Sequence, residues 1–349
     1  MPSRFSGLDA LRGLAAAAVL LYHATTFNNG HLLLFPSAAL AVDMFFCLSG
    51  FVIAHAYQHR IQDGLSLRGF LRQRFVRLYP AYLMGLALGA IMLGLKLTTG
   101  ETTLSPGEIL FATLLNALYL PFLGAHTETI FGVSIPNTIF PANDPGWSLF
   151  FEFVANIGFF YAVTRLRWQP LIITLLILPC FVVTTKLFGE APGWGTHNFL
   201  GGFSRVGFSF FAGVTLYAHR HLLEKLPRLP AWCLLLGLTL LLAVPAFRLH
   251  TYYWFAATIM LVPPLVALGA TCRLSERGAR WADYGGALSY PLYCIHFPIL
   301  GLVSILLPDP AWRQTAIILG EGLSWLAAHL ITRVMEAPLR RFLAEKLPA

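Results

Sequence analysis

Hydrophobic residues in this chain come in long blocks, broken by short polar interruptions, and do not alternate or recur as one helical stripe. Eleven blocks approach the roughly 20 apolar residues that a membrane-crossing helix needs. They are 8–27, 38–57, 78–97, 107–123, 147–164, 169–187, 199–217, 231–247, 253–271, 285–306 and 313–334. None carries the wide polar face of a soluble amphipathic helix. The pattern predicts an all-α, polytopic transmembrane bundle forming a single domain, 1–349. Trp147, Trp168, Trp194, Trp232, Trp281 and Trp312 fall near block ends, where indoles anchor at the lipid–water interface. Gly85 and Gly89, four residues apart, permit close helix approach.

The breaks orient the bundle. Basic residues cluster at Arg4 and Arg12; at Arg60, Arg68, Arg72, Arg74 and Arg77; at Arg165 and Arg167; at Arg220, Lys225 and Arg228; at Arg273, Arg277 and Arg280; and at Arg333, Arg340, Arg341 and Lys346. Lys96, Lys186, Arg205, Arg248 and Arg313 fall on or near the other side. Loops 28–37, 98–146 and 188–198 hold no Lys or Arg. The positive-inside rule then puts the clusters and both termini in the cytosol. One conflict follows. With 78–97 running outward and 147–164 inward, 98–146 must begin and end outside, and a lone crossing by 107–123 breaks that parity. About ten net crossings are expected, with 107–123 either re-entrant or paired with a short helix around 126–141. The run "VSIPNTIFPANDPGW" fits an external cap.

Composition sharpens this. The 349 residues are 57% hydrophobic and 11% charged, against about 25% charged in soluble domains. The formal net charge of +8 invites a nucleic-acid reading, but the basic residues sit where topology requires them, so no nucleic-acid partner is expected. The five cysteines lie in or beside apolar runs without a CxxC pair, so neither a metal site nor a disulfide framework is expected. Gly13–Phe27 reads as a retained signal anchor, with no clear cleavage site after it. The expected location is the cell membrane, among lipids, as a multi-pass protein.

Ionisable residues inside the blocks carry the candidate chemistry. Arg12 and His23 are eleven residues apart, which on a helix is about 16 Å of rise and about 20° of rotation, so they share a face. Asp9, three residues before Arg12, can pair with it. Asp43, Glu152 and Glu321 each cost about 2.5–3.5 kcal/mol at a helix centre, so such residues usually face a cavity or protein interior. A polar cavity lined by His23, Asp43 and Glu152 near the outer leaflet would suit proton chemistry, since imidazole titrates near neutrality. The plain alternative is a snorkelling arginine and a packing histidine. The loop "LRQRFVRLYPAYL" gathers Arg72, Arg74 and Arg77. It reads either as a stop-transfer, headgroup-binding segment or as a docking site for a cytosolic polyphosphate.

Together these features resemble the acyltransferase-3 family of integral membrane acyltransferases. The resemblance rests on "RGLAAAAVLLYH", "VDMFFCLSGFVI", "RQRFVRLYPAY", "WSLFFEF", "SYPLYCIHFP" and "EAPLRR", in that order along almost the whole chain. It implies a bundle of about ten core helices that takes an acyl group, first of all acetyl, from cytosolic acyl-CoA as co-substrate. No tightly bound cofactor is implied. The group goes to a hydroxyl of a carbohydrate or glycosylated acceptor; some relatives acylate macrolides. Relatives often read "WSLSVEEQFYL", whereas Phe153 stands here in place of the second acid. No added hydrolase-like domain is expected, because the chain ends at Ala349 just past the last span.

On this resemblance His23 is the general base, and Arg12 holds the donor near the cytosolic entrance. Arg72, Arg74 and Arg77 bind the CoA phosphates, Asp43 or Glu152 orients His23 or holds an acceptor hydroxyl, and Trp147 and Ser148 meet the acceptor. Direct transfer ranks ahead of an acyl-enzyme on Ser49, Ser148 or Cys47. His296 and Glu336 are expected to be structural. A proton-coupled transporter or flippase is the competing reading, and an assembly component of polysaccharide export is a third.

Overall fold

The computed structural model describes residues 5–28, 34–165, 169–245 and 247–335, with 338, 341, 342 and 345 beyond. Arg4, Arg167, Trp168, Glu336, Arg340 and Lys346 lie outside the described residues. The helices are α1 (Ser6–Thr26), α2 (Ala39–Gln62), α3 (Leu67–Thr99), α4 (Pro106–Ala117), α5 (Gly146–Arg165), α6 (Pro170–Phe188), α7 (Phe199–Ala218), α8 (Arg220–Leu223), α9 (Ala231–Leu242), α10 (His250–Met260), α11 (Val262–Thr271), α12 (Glu276–Leu306) and α13 (Arg313–Leu330). Strands β1 (Thr127–Ile130) and β2 (Val133–Pro136) form an antiparallel hairpin.

Among the described residues, eight helical segments are long and apolar enough to cross a membrane, with α10 and α11 counted as one. Pro263 and Pro264 explain the break between those two, since neither can donate to the preceding turn. The 21-residue α1 and the apolar 12-residue α9 bring the apolar segments to ten. The fold is therefore an all-α polytopic bundle.

Two expectations need correction. The arginine-rich stretch is no loop: Ser66 caps α3 by accepting from the Gly69 N–H, and the helix runs 33 residues. At 1.5 Å per residue that is about 50 Å, longer than the ~30 Å hydrocarbon core, so Arg72, Arg74 and Arg77 ride on its first turns. The 107–123 block holds the 12-residue α4, and no helix forms near 126–141, where the β-hairpin stands. A two-residue turn closes the hairpin, with Phe131 at φ 50° and Gly132 at φ 78°. Positive φ at both positions matches the right-handed strand twist. Burial of the Phe131 ring against Phe27, at the end of α1, accompanies the unusual backbone. The buried Lys96–Glu128 pair at 2.8 Å fastens β1 to α3.

At the centre α12 lies against α1, α3 and α13, while α2 lies against α7. Small residues set these distances. A side chain at Gly50 would overlap the Phe210 carbonyl, and one at Gly213 the Cys47 carbonyl, which locks α2 on α7. Gly85 abuts the Cys294 carbonyl of α12, and Gly89 the Ala142 carbonyl. Pro298 cannot donate to that Cys294 carbonyl as an ordinary helical residue would. Asn143 donates to it instead, from 2.7 Å.

Candidate active site

Faces of five helices build a cavity of about 580 Å³. Leu8, Asp9 and Arg12 come from α1, and Arg74, Arg77 and Leu78 from α3. Ser148, Leu149 and Glu152 follow the i, i+4 face of α5. The wall from α2 includes Phe45, Ser49, Val52 and His55, and that from α12 includes Ser289, Tyr290 and Tyr293. Pro291 in α12 leaves the Ala287 carbonyl, on this wall, without its usual helical donor. The mouth carries Arg77, exposed, and the cavity lies toward the end of the bundle where α1 and α3 begin.

Charge within the cavity is organised around Glu152. Its Oε1 accepts from Arg74 Nη2 at 2.7 Å and from the Ser49 hydroxyl at 2.7 Å. Arg74 Nε is buried and bonded to nothing among the described residues. Arg12 donates to Asp9 and to the Gly286 carbonyl, both at 2.8 Å. Phe153 is not on the cavity wall and packs on Tyr119 at 4.9 Å between centroids.

His23 is not on this wall. It lies farther along α1, on the face that also carries Arg12, and both meet α12: Arg12 at Gly286 and His23 at His296. The two helices therefore run in the same direction. His23 Nδ1 lies 3.1 Å from His296 Nε2 and 3.1 Å from the Val19 carbonyl. Its ring stacks on Phe27 and meets Phe297 edge-on, and it stays partly exposed. Tyr293 stands between cavity and histidines. Its hydroxyl donates to Ser148 at 3.0 Å, and its ring centre is 6.1 Å from that of His296.

The expected cavity of His23, Asp43 and Glu152 is thus three separate places. Asp43 is fully buried and faces α7 and α10. Arg205 Nε and Nη2 donate to it at 2.7 and 3.1 Å, and Trp254 Nε1 at 2.8 Å. Arg205 lies between Trp147 and Trp254 at 5.2 and 5.3 Å. Trp147 belongs to this lock and not to the cavity, whereas Ser148 is on the wall, its hydroxyl donating to the Pro145 carbonyl at 2.9 Å. Arg72 is partly buried and is not on the cavity wall. Glu321 lies on α13, outside both constellations. Cys47 is buried, so of the three possible nucleophiles Ser49 and Ser148 alone line the cavity.

Three partnerships escaped sequence reading. Arg205 answers Asp43, and a lone arginine in a block on the side poor in basic residues was the available signal. Ser49 bonds Glu152, which no spacing indicated. His296 is the side-chain partner of His23, visible only once α1 and α12 are side by side. A fourth group, Ser37–His250–Glu190 (2.9 and 2.7 Å), has triad-like order. Ser37 is 1% exposed and its hydroxyl also reaches the Val244 carbonyl at 2.7 Å. It clamps the start of α2 to two loops and offers no accessible nucleophile.

A family model described as an acyltransferase domain, Acyl_transf_3, matches residues 5–331. Protein 2 in the picA locus of Rhizobium radiobacter is 39% identical over 164 residues, 44% of this chain and 80% of that protein. Acyltransferase MdmB of Streptomyces mycarofaciens is 30% identical over 170 residues, 46% of this chain and 40% of that protein. No solved structure matches the chain significantly.

Proposed function

The chain belongs to the acyltransferase-3 family of multi-pass membrane O-acyltransferases, and from that premise we propose that it transfers a short acyl group, acetyl first, from cytosolic acyl-CoA to a hydroxyl of a carbohydrate or glycosylated acceptor. The observation that carries this reading is the arginine-lined cavity and the partly exposed His23 lying at opposite ends of one α1–α12 seam. A pocket of about 580 Å³ falls in the range of small-ligand sites, roughly 300–1,000 Å³.

The donor enters by the mouth at Arg77, in the cell membrane's cytosolic leaflet. Arg72 and Arg77 meet its phosphates, for which guanidinium is suited by charge and geometry. Arg12 and Arg74 flank the pantetheine arm, which spans the interval toward His23. The acyl carbon reaches the Tyr293–Ser148 hydrogen bond, and displacement of that pair joins the cavity to the histidines. The acceptor comes from the other face, on the side where Phe131 of the hairpin meets Phe27 of α1. His23 Nε2 takes the hydroxyl proton as the oxygen bonds to the acyl carbon. The C–S bond breaks, CoA leaves as a thiolate toward Arg12, and the imidazolium of His23 then gives its proton to water.

The test is transfer from radiolabelled acetyl-CoA to a panel of glycans by purified protein in nanodiscs. Wild type is expected to transfer label and release CoA, and His23→Ala to lose on the order of 10²–10⁴ in kcat, the usual contribution of a general base. Full transfer by His23→Ala, or glycan movement without CoA release, contradicts the reading.

A further inference from the structure

Each of the two acids expected to orient His23 is engaged elsewhere, Asp43 by Arg205 and Trp254, Glu152 by Arg74 and Ser49. Among the described residues, His296 is the one side chain hydrogen-bonded to His23. It is 1% exposed, fixed on α12, and held by its own backbone. Its Nδ1 lies 3.0 Å from both the Leu292 and the Tyr293 carbonyl oxygens.

One arrangement of protons satisfies these contacts in the neutral pair. A carbonyl oxygen can only accept. The Nδ1 of His296 faces two such oxygens, and the Nδ1 of His23 faces the Val19 oxygen at 3.1 Å, so both Nδ1 atoms carry hydrogen. A neutral imidazole has one N–H, so both lone pairs are then on Nε2. The contact between the rings is His23 Nδ1–H donating to His296 Nε2, with Val19 sharing the same hydrogen. The reverse order would point two lone pairs at carbonyl oxygens. His23 Nε2 is left with its lone pair and no hydrogen bond among the described residues, on a ring that is partly exposed.

We propose that His296 is a positioning residue for His23. Together with the Val19 carbonyl it holds His23 in the Nδ1–H tautomer and so presents Nε2 as the basic nitrogen. After Nε2 receives the acceptor's proton, His23 bears hydrogen on both nitrogens. The Nδ1–H bond to His296 is then charge-assisted and steadies the imidazolium. The logic is that of a base oriented by a third group, with a neutral imidazole in the place usually taken by a carboxylate. This rests on the reading of His23 as general base.

The experiment uses the full chain in nanodiscs with ¹⁵N-labelled imidazoles, His23 being assigned by its loss in His23→Ala. Two variants are compared, His296→Leu and His296→Gln, the second offering an amide oxygen near the position of Nε2. In wild type and His296→Gln, His23 is expected to show an N–H shift at Nδ1 and a lone-pair shift at Nε2. In folded His296→Leu, where Val19 is the remaining acceptor, the Nε2–H tautomer is expected to gain population. There kcat falls at least about tenfold while KM for acetyl-CoA holds, and His296→Gln restores most of the loss. A lone pair on Nδ1 in wild type overturns the proposal, as does a folded His296→Leu with unchanged His23 shifts and kcat. If His23→Ala itself keeps full activity, the base reading falls and this proposal with it. If His23→Ala is inactive and His296→Leu is not, only the positioning role falls.

Discussion

Replacing Asp43 with alanine separates a structural carboxylate from a chemical one. Asp43 and Arg205 are 0% and 1% exposed, so neither charge has solvent to fall back on. The carboxylate accepts two guanidinium hydrogen bonds at 2.7 and 3.1 Å and an indole bond at 2.8 Å. Charge-assisted bonds contribute about 1.5–3 kcal/mol each, and breaking one partner of a buried pair costs about 3–5 kcal/mol because the other charge is stranded. Asp43→Ala should therefore destabilise by about 3–5 kcal/mol. Arg205 keeps carbonyl acceptors at Ala39, Ala191 and Pro192, which do not neutralise it. Adding Arg205→Met removes the stranded charge, so the double variant should lose less than the sum of the singles. Unfolding by SDS titration in mixed micelles measures both, alongside kcat per folded molecule. A stable Asp43→Ala with kcat abolished would refute the lock and return Asp43 to the chemistry.

Two further predictions concern the cavity and the loop before α5. Arg74→Ala and Glu152→Ala should each weaken acetyl-CoA binding, and the double variant should be little worse than either, because the residues act as one hydrogen-bonded unit; additive losses by calorimetry would break that link. Burial, and then the neighbouring Glu128 charge, push the Asp144 carboxyl up to about 8. The folded state then binds more protons than the unfolded chain between about pH 4 and pH 8, so stability should fall as pH rises through that window. Asp144→Asn should flatten the slope, and an unchanged slope would remove Asp144 as its source.

Legibility followed physical cause. The apolar blocks reported the helices because lipid tolerates no unsatisfied backbone, and α5, α6 and α7 began and ended within a residue of their blocks. The parity of charged loops flagged 98–146 as irregular, but a hairpin of four-residue strands is too short to announce itself against a helical alternative. The shared face of Arg12 and His23 follows from helical rotation alone. Which partners that face meets does not, since Gly286 and His296 lie more than 270 residues away in sequence. Asp43 looked like cavity chemistry because its cost in lipid was visible and its payee, Arg205, was 162 residues distant. The arginine stretch read as a loop because charge masked its continuity with the apolar helix that follows.

Donor and acceptor are proposed to reach the reaction from opposite faces of the bundle. This is tested most directly in proteoliposomes with a glycan acceptor sealed inside and radiolabelled acetyl-CoA added outside. Orientation is read by protease access to a tag on loop 219–230, on the face of the cavity mouth. Vesicles with that face outward should place label on the enclosed glycan and release CoA outside, and His23→Ala vesicles should do neither. Label appearing only when both substrates share one compartment would contradict the account.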